Sequence, residues 1–235
     1  MIKTILTSSI ILISILSFSQ NKENFCDKGN AEMLLNNYRG AIAEYDKAIK
    51  QSPKNANYYY NRAEAKSYFK DYSGAIADIN KAIRIDPNNA NFYNNRGITK
   101  KKMKDYKGAL TDYNKSLELD PKHERAYFNR GLIKNDLLDY RGAITDFSKS
   151  IELNPSIDAT YYSRGTSKGK LKNYKGAIED LNKAIQLNPK NADAYYMSGI
   201  YKLILGQKES GCLDLSKAGE LGKVNAYDII KEYCN

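Results

Sequence analysis

The sequence predicts an all-α fold built from stacked pairs of antiparallel helices, and three observations predict it. All five prolines, Pro53, Pro87, Pro121, Pro155 and Pro189, stand 34 residues apart. Within each period the apolar residues recur at spacings of three and four, the pattern of helix faces rather than strands. Small residues also recur at fixed places, so size repeats as well as polarity. A unit of this length buries its apolar surface only by stacking on its neighbours. That organisation points to a surface for binding rather than a pocket for chemistry.

Taken in order, residues 1–19 read as a secretory signal peptide. Lys3 supplies a positive start, Ile10 to Leu16 are apolar apart from Ser14, and the small Ser17 and Ser19 flank Phe18. The apolar run is too short for a membrane-spanning helix. Cleavage after Ser19 leaves a chain that starts at Gln20 and resides in the periplasm or outside the cell; a buried first helix is the alternative reading. Glu23, Asn24 and Phe25 are not the run that precedes a lipid-bearing cysteine, so Cys26 is not read as an anchor.

The array occupies residues 20–223, with units at 22–55, 56–89, 90–123, 124–157, 158–191 and 192–223, and a last helix covers 224–235. In the second unit Tyr59, Ala63 and Phe69, then Ala75, Ile76, Ile79, Ala82 and Ile83, mark the inward faces of two helices. Asp71 stands between them, able to cap the second helix by accepting a backbone N–H; Asn37, Asp105, Asp139 and Asn173 hold the same place. Each second helix ends at a dipeptide such as Asp86-Pro87, because proline lacks a donor and restricts the residue before it.

These residues resemble the tetratricopeptide repeat (TPR). The aromatic fourth place is Phe25, Tyr59, Tyr93, Tyr127, Tyr161 and Tyr195; the small eighth is Gly29, Ala63, Gly97, Gly131, Gly165 and Gly199. The small twentieth is Ala41, Ala75, Ala109, Ala143, Ala177 and Gly211, and the apolar twenty-fourth is Tyr45, Ile79, Tyr113, Phe147, Leu181 and Leu215. Ala48, Ala82, Ser116, Ser150, Ala184 and Ala218 fill the small twenty-seventh. The resemblance implies a right-handed α-α superhelix of six TPR helix pairs closed by a C-terminal capping helix.

Two rows depart from the family. The seventh place is Lys28, Arg62, Arg96, Arg130 and Arg164, and the eleventh is Lys66, Lys100, Lys134, Lys168 and Lys202, four residues along the same helix face. Glu44, Asp78, Asp112, Asp146, Asp180 and Asp214 answer from the second helices. A cation turned into a helix interface needs a partner, which predicts an ion-pair ladder between helices. The alternative is a set of solvated side chains that contribute little.

The sixth unit lacks the proline and carries Gly206, Gly211, Gly219 and Gly222. Beyond it Ala226, Ile229 and Ile230 face inward on the capping helix, which covers the last apolar face. Cys212 and Cys234 lie on either side of the turn near Gly222 and reach the same level of an antiparallel pair. They pair as a disulfide under oxidising conditions or remain two buried thiols; Cys26 is left over.

No arrangement of residues supports catalysis. His123 is the single histidine and stands in a loop, no His or Cys spacing suits a metal, and no glycine-rich phosphate loop follows a strand. No cofactor, metal or small-molecule substrate is expected. The net charge of +10 favours anionic partners at long range, yet its lysines are spread over every repeat among acids, so nucleic acid is the weaker alternative.

The resemblance instead implies a concave groove lined by the first helices. Its ligand-facing places are Tyr60, Asn61, Glu64, Tyr68, Asn94, Asn95, Ile98 and Lys101, followed by Arg125, Phe128, Asn129, Leu132, Tyr162, Thr166 and Tyr196. Rings beside amides suit a peptide, since rings bury area cheaply and Asn pairs with a backbone. The alternative is that some rings pack on adjacent helices. Asn30, Asn61 and Asn95 match the clamp that grips a peptide carboxylate in the family's chaperone-binding branch, but Cys26, Asn91 and Asn95 stand at its basic places, so a clamp is not expected. The function read from the sequence is a non-catalytic scaffold that binds a protein or peptide. A structural spacer in an envelope complex is the alternative.

Overall fold

The computed structural model describes residues 25–234, so the leader assigned to residues 1–19 lies outside the described residues. Among the described residues there are thirteen α-helices and no strand. They are α1 (residues 25–34), α2 (Tyr38–Gln51), α3 (Ala56–Tyr68), α4 (Tyr72–Ile85), α5 (Ala90–Lys102), α6 (Tyr106–Leu119), α7 (Glu124–Asp136), α8 (Tyr140–Leu153), α9 (Asp158–Lys170), α10 (Tyr174–Leu187), α11 (Ala192–Ile204), α12 (Lys208–Glu220) and α13 (Ala226–Tyr233). The chain divides into two compact units, Met1–Leu119 with α1 to α6 and Asp120–Asn235 with α7 to α13. Inside each unit the two helices of a pair pack together, and each pair packs on the next.

Local chemistry sets the ends of these helices. The carboxylate of Asp71 accepts a hydrogen bond from the Gly74 amide at 2.9 Å, and Asp105 and Asp139 do the same for Gly108 and Gly142. A Cβ at Gly74 would stand 2.0 Å from the other oxygen of the capping carboxylate, Asp71 Oδ2, so glycine there makes room for the cap. The turn before each cap contains one residue at positive φ: Asn36, Lys70, Lys104, Leu138 and Lys172 lie between 57° and 67°, and only the last pair uses glycine, Gly206. This backbone costs a side-chain-bearing residue about 1–2 kcal/mol, part of which glycine returns as unfolded-state entropy. Leu138→Gly is therefore expected to stabilise the protein by about 0.5–1 kcal/mol, seen as a higher denaturant midpoint at constant slope.

The core is built by matched sizes at the eighth and twenty-fourth places. Where the twenty-fourth is an aromatic ring, the eighth is glycine: a Cβ on Gly97 would lie 2.6 Å from Tyr113, and one on Gly131 would lie 2.8 Å from Phe147. Where it is Ile79, the eighth is Ala63, and both are buried, while Leu181 and Leu215 stand over glycine, Gly165 and Gly199. Ala41, Ala75, Ala109, Ala143 and Ala177 are fully buried at the twentieth place. Serine at the twenty-seventh is satisfied internally. Ser116 donates to the Ala90 carbonyl at 2.9 Å, and Ser150 to the Glu124 carboxylate at 2.7 Å.

The charged rows form the predicted ladder. Arg96 donates from Nε and Nη2 to the two oxygens of Asp112 at 2.9 and 2.6 Å, and Lys100 Nζ sits 2.8 Å from the same carboxylate. Arg62 and Lys66 hold Asp78, Arg130 and Lys134 hold Asp146, and Arg164 and Lys168 hold Asp180 in the same way. The four aspartates are 1 to 5 % exposed. The third arm of the guanidinium reaches the second helix of the preceding pair, from Arg62 to Asp46, from Arg96 to Asn80 and from Arg164 to Ser148. Each guanidinium also lies over the ring at the fourth place, as Arg96 does over Tyr93 at 5.4 Å. One arginine thus joins three helices and fixes the register of a pair against its neighbour. In the last pair Ser198 and Lys202 share Asp214 instead. The first pair lacks the trio: Glu44 pairs with Lys47, and Lys28 lies over the Phe25 ring.

The last helix caps α12. Val224 is 73 % exposed and precedes it, so the helix starts two residues later than the hydrophobic pattern suggests. Ala226 is buried, and Ile229 and Ile230 pack beside Leu215 and Ala218. Cys212 and Cys234 are disulfide-bonded with Cα atoms 5.8 Å apart, and Cys26 is a free, half-buried thiol. Closing a loop of this size contributes about 3 kcal/mol. Thiol titration of the unfolded protein is expected to find one reactive cysteine before reduction and all three of the sequence after it.

Candidate functional site: the first-helix face

A first helix has neighbours on two sides, its own second helix and the adjoining pair, and these claim most of its circumference. The fourth, seventh, eighth and eleventh places face the second helix through the core and the ion trios. Inside each unit the third and tenth places press on the preceding pair, burying Phe92, Thr160 and Ala194, then Ala65, Thr99 and Ser167. What is left is a strip that carries most of the residues named above as ligand-facing.

In the unit Met1–Leu119 this strip opens into a cavity of about 420 Å³ between α1 and α3, lined by Asn30, Met33, Tyr45, Asn61, Glu64 and Tyr68 among others. Its floor is ordered by the Tyr45 hydroxyl, which donates to Asn30 Oδ1 at 2.7 Å, while burial pushes the phenol's pKa up and keeps it a donor. Asn61 Nδ2 donates to Cys26 Sγ at 3.6 Å. Burial raises the pKa of that thiol, which leaves it protonated at neutral pH. Glu64 is exposed at the wall. Tyr68, 52 % exposed, stacks on Tyr38 with ring centres 5.2 Å apart and lies under the Lys102 ammonium at 5.3 Å. The cavity therefore offers amide and phenol hydrogen-bonding groups, one carboxylate and an apolar lip.

The neighbouring residues are committed to one another. Tyr60 packs on Phe92 with ring centres 5.2 Å apart, and its hydroxyl accepts a hydrogen bond from Asn95 Nδ2. Asn94 is 3 % exposed and donates to Asn95 Oδ1, so it presents no surface to a partner. That takes Asn94 off the open strip, whereas the same place is half-buried in the other copies, at Tyr60, Phe128, Tyr162 and Tyr196. Ile98 and Lys101 are half-buried.

In the unit Asp120–Asn235 Arg125 is exposed, and Asn129 and Leu132 are half-buried. Phe128 lies 5.8 Å from the Phe147 ring, and Tyr162 packs against the cluster of Leu181 and Tyr201. Thr166 donates to the Ser163 carbonyl at 3.0 Å. Tyr196 lies under the Lys223 ammonium at 5.5 Å. These rings are partly core. A second cavity, about 310 Å³ and apolar, is lined by Ile200, Leu203, Ile204, Ile229 and Tyr233. Of these, Leu203 and Ile204 stand at the twelfth and thirteenth places, which the sequence marks as outward. Tyr233 was not legible as a lining residue because it belongs to the cap.

His123 stands in the loop as the N-cap residue of α7, half-buried, and burial lowers its pKa. Among the described residues no group of three His, Cys, Asp or Glu side chains could hold a metal ion. No described helix is long and apolar enough to cross a membrane.

Family models described as TPR repeat match residues 29–67 and 70–104, and models described as tetratricopeptide repeat match residues 90–123, 124–157 and 159–191. No curated relative matches the chain by sequence. Among solved structures, PilF of Pseudomonas aeruginosa is similar over 92 % of this chain and 99 % of its own, with a TM-score of 0.81 at 19 % identity. YrrB, a TPR protein with an unusual peptide-binding site, is similar over 80 % of this chain and 97 % of its own, with a TM-score of 0.67 at 22 % identity. MamA is similar over 70 % and 96 %, with a TM-score of 0.64 at 25 % identity. The helix pairs, the recurring small residues and the matches along the length give one conclusion: the chain belongs to the tetratricopeptide repeat family.

Proposed function

We propose that this chain is a non-catalytic scaffold that holds a protein or peptide on its first-helix face, outside the cytoplasm. The observation that carries the reading is the cavity between α1 and α3, where Asn61, Glu64 and Tyr68 converge beside Asn30 and Tyr45. A peptide backbone needs both donors and acceptors, and amides and phenols supply them in a small space. The open rings and aliphatic side chains give apolar contact at low entropic cost. YrrB's peptide-binding site supports the same ligand class for this fold. In the second unit, Arg125, Phe128, Leu132 and Tyr162 extend the assignment.

Export is supported by the leader pattern around Lys3, Ser17 and Ser19 and by the Cys212–Cys234 disulfide, which persists in oxidising compartments. Mass analysis of the protein recovered from its native cell is expected to give a chain beginning at Gln20.

The binding reading is tested with Glu64→Arg/Tyr68→Ala, two exposed positions whose replacement leaves the core intact. Partners captured by the wild-type protein from the exported fraction are identified, purified and titrated against both forms. A loss of about tenfold or more in affinity, on the order of 1.4 kcal/mol, is expected for the variant. Equal affinity would remove the first-helix face from the interaction and favour a spacer that binds through its other surfaces.

A further inference from the structure

The turns that join the two helices of each pair carry a surface that the peptide-binding reading does not use. In the unit Met1–Leu119 two of these turns expose Phe69 and Met103, 48 % and 47 % accessible. Each is followed by a lysine at positive φ, Lys70 at 67° and Lys104 at 63°. Glycine adopts that backbone without the penalty that a side chain brings, as Gly206 does at the matching place of the last pair. Two lysines are thus held in strained backbone at the tips of the molecule, beside large apolar side chains.

The turns form one edge. The Arg39 guanidinium lies 5.7 Å from the Phe69 ring centre, and Lys102, at the end of α5, donates to Ser67 at 3.1 Å and covers Tyr68. Along this edge Arg39, Lys70, Lys104 and Lys107 are exposed. The acids beside them, Asp71 and Asp105, accept hydrogen bonds from backbone amides as helix caps. Cations therefore outnumber acids, and they alternate with apolar tips. In the unit Asp120–Asn235 one turn repeats the pattern with Leu171 beside Lys172, while the other has Leu138, 70 % exposed, in place of the lysine.

We propose that this edge of turns seats on the surface of an anionic bilayer, with Phe69 and Met103 in the interfacial region and Lys70, Lys104 and Lys107 on lipid phosphates. Apolar side chains interleaved with lysine are the composition that binds such interfaces, and lysine stems reach past an apolar neighbour to keep the ammonium at the headgroups. Single-stranded nucleic acid fits less well, because base stacking needs open ring faces. Phe69 has the Arg39 guanidinium over its ring, Tyr68 has Tyr38 on one side and Lys102 against it, and Met103, Leu138 and Leu171 have no ring. An acidic protein also fits less well, since protein interfaces are depleted in lysine and centre on pocketed aromatic and arginine anchors.

The test is amide hydrogen exchange of the full chain with phosphatidylglycerol-containing vesicles, with phosphatidylcholine vesicles, and with a single-stranded oligonucleotide. Reading exchange turn by turn separates this edge from any lipid contact made by the apolar residues near the N-terminus. Exchange at residues 69–73 and 103–107 is expected to slow about threefold or more with anionic vesicles only, and to recover with added salt. In Lys70→Glu/Lys104→Glu/Lys107→Glu, all exposed positions, the slowing is expected to vanish. Unchanged exchange at these turns with anionic vesicles, equal slowing in the triple variant, or slowing by the oligonucleotide alone would each overturn the proposal.

Discussion

Asp112→Ala is expected to lose about 3–5 kcal/mol of unfolding free energy. Asp112 is 1 % exposed and takes two hydrogen bonds from Arg96 and one ion pair from Lys100. Removing it leaves a guanidinium and an ammonium facing each other in a largely buried seam, and the cost is that of the uncompensated charges rather than of the bonds alone. Replacing all three groups by apolar residues of similar volume is accordingly expected to be far milder than the single change. A double-mutant cycle between Arg96 and Asp112, read by denaturant unfolding, should give a coupling of about 1–3 kcal/mol. Coupling near zero would mean that the charges are solvated.

Phe147→Ala is expected to cost about 3–5 kcal/mol through the cavity left between α7 and α8. The ring is fully buried over Gly131, so the space beneath it has no side chain to fall into the void. Gly131→Ala is also destabilising, because its Cβ would meet the ring at 2.8 Å. The second repeat shows the compensated solution, alanine under isoleucine at Ala63 and Ile79. Gly131→Ala/Phe147→Ile is therefore expected to recover most of what each single change loses, a non-additivity of about 1 kcal/mol or more. Additive losses would show that the two places are not matched in size.

The residues that hold each pair were legible because their requirement is absolute and recurs. Ala109 can be nothing larger where two helices cross, and Tyr59, Tyr93 and Tyr127 fill the same recess in successive copies. The capping acids and prolines were legible for the same reason, since each acts within a few residues of itself. The charged rows announced a ladder, but not that arginine and lysine share one carboxylate or that the guanidinium also reaches the preceding pair. Both depend on the distance between neighbours, which no spacing along the chain encodes.

The third and tenth places were missed because their polarity varies from copy to copy. Thr99 and Ser167 are as buried as Ala65 and Ile133, and their hydroxyls are satisfied inside the helix by the carbonyls of Asn95 and Ser163. What these places demand is a fitted volume against the preceding pair, as Ala65 packs with Ala41 and Tyr45. The open strip was harder still. Asn94 and Asn95 look alike in sequence, yet the first is buried and the second pairs with Tyr60. The α1–α3 cavity needed Asn30 and Tyr45 to complete it, and Tyr45 reads from sequence as core alone.

The most direct measurement of the binding claim is site-specific photocrosslinking to a partner captured by the wild-type protein. A photoreactive phenylalanine is placed at Asn61 or Ile98 on the first helices, and at Thr111 on the outer face of α6. Crosslinks from Asn61 and Ile98 with none from Thr111 are the predicted result. Crosslinks from Thr111 with none from the first-helix positions would contradict it.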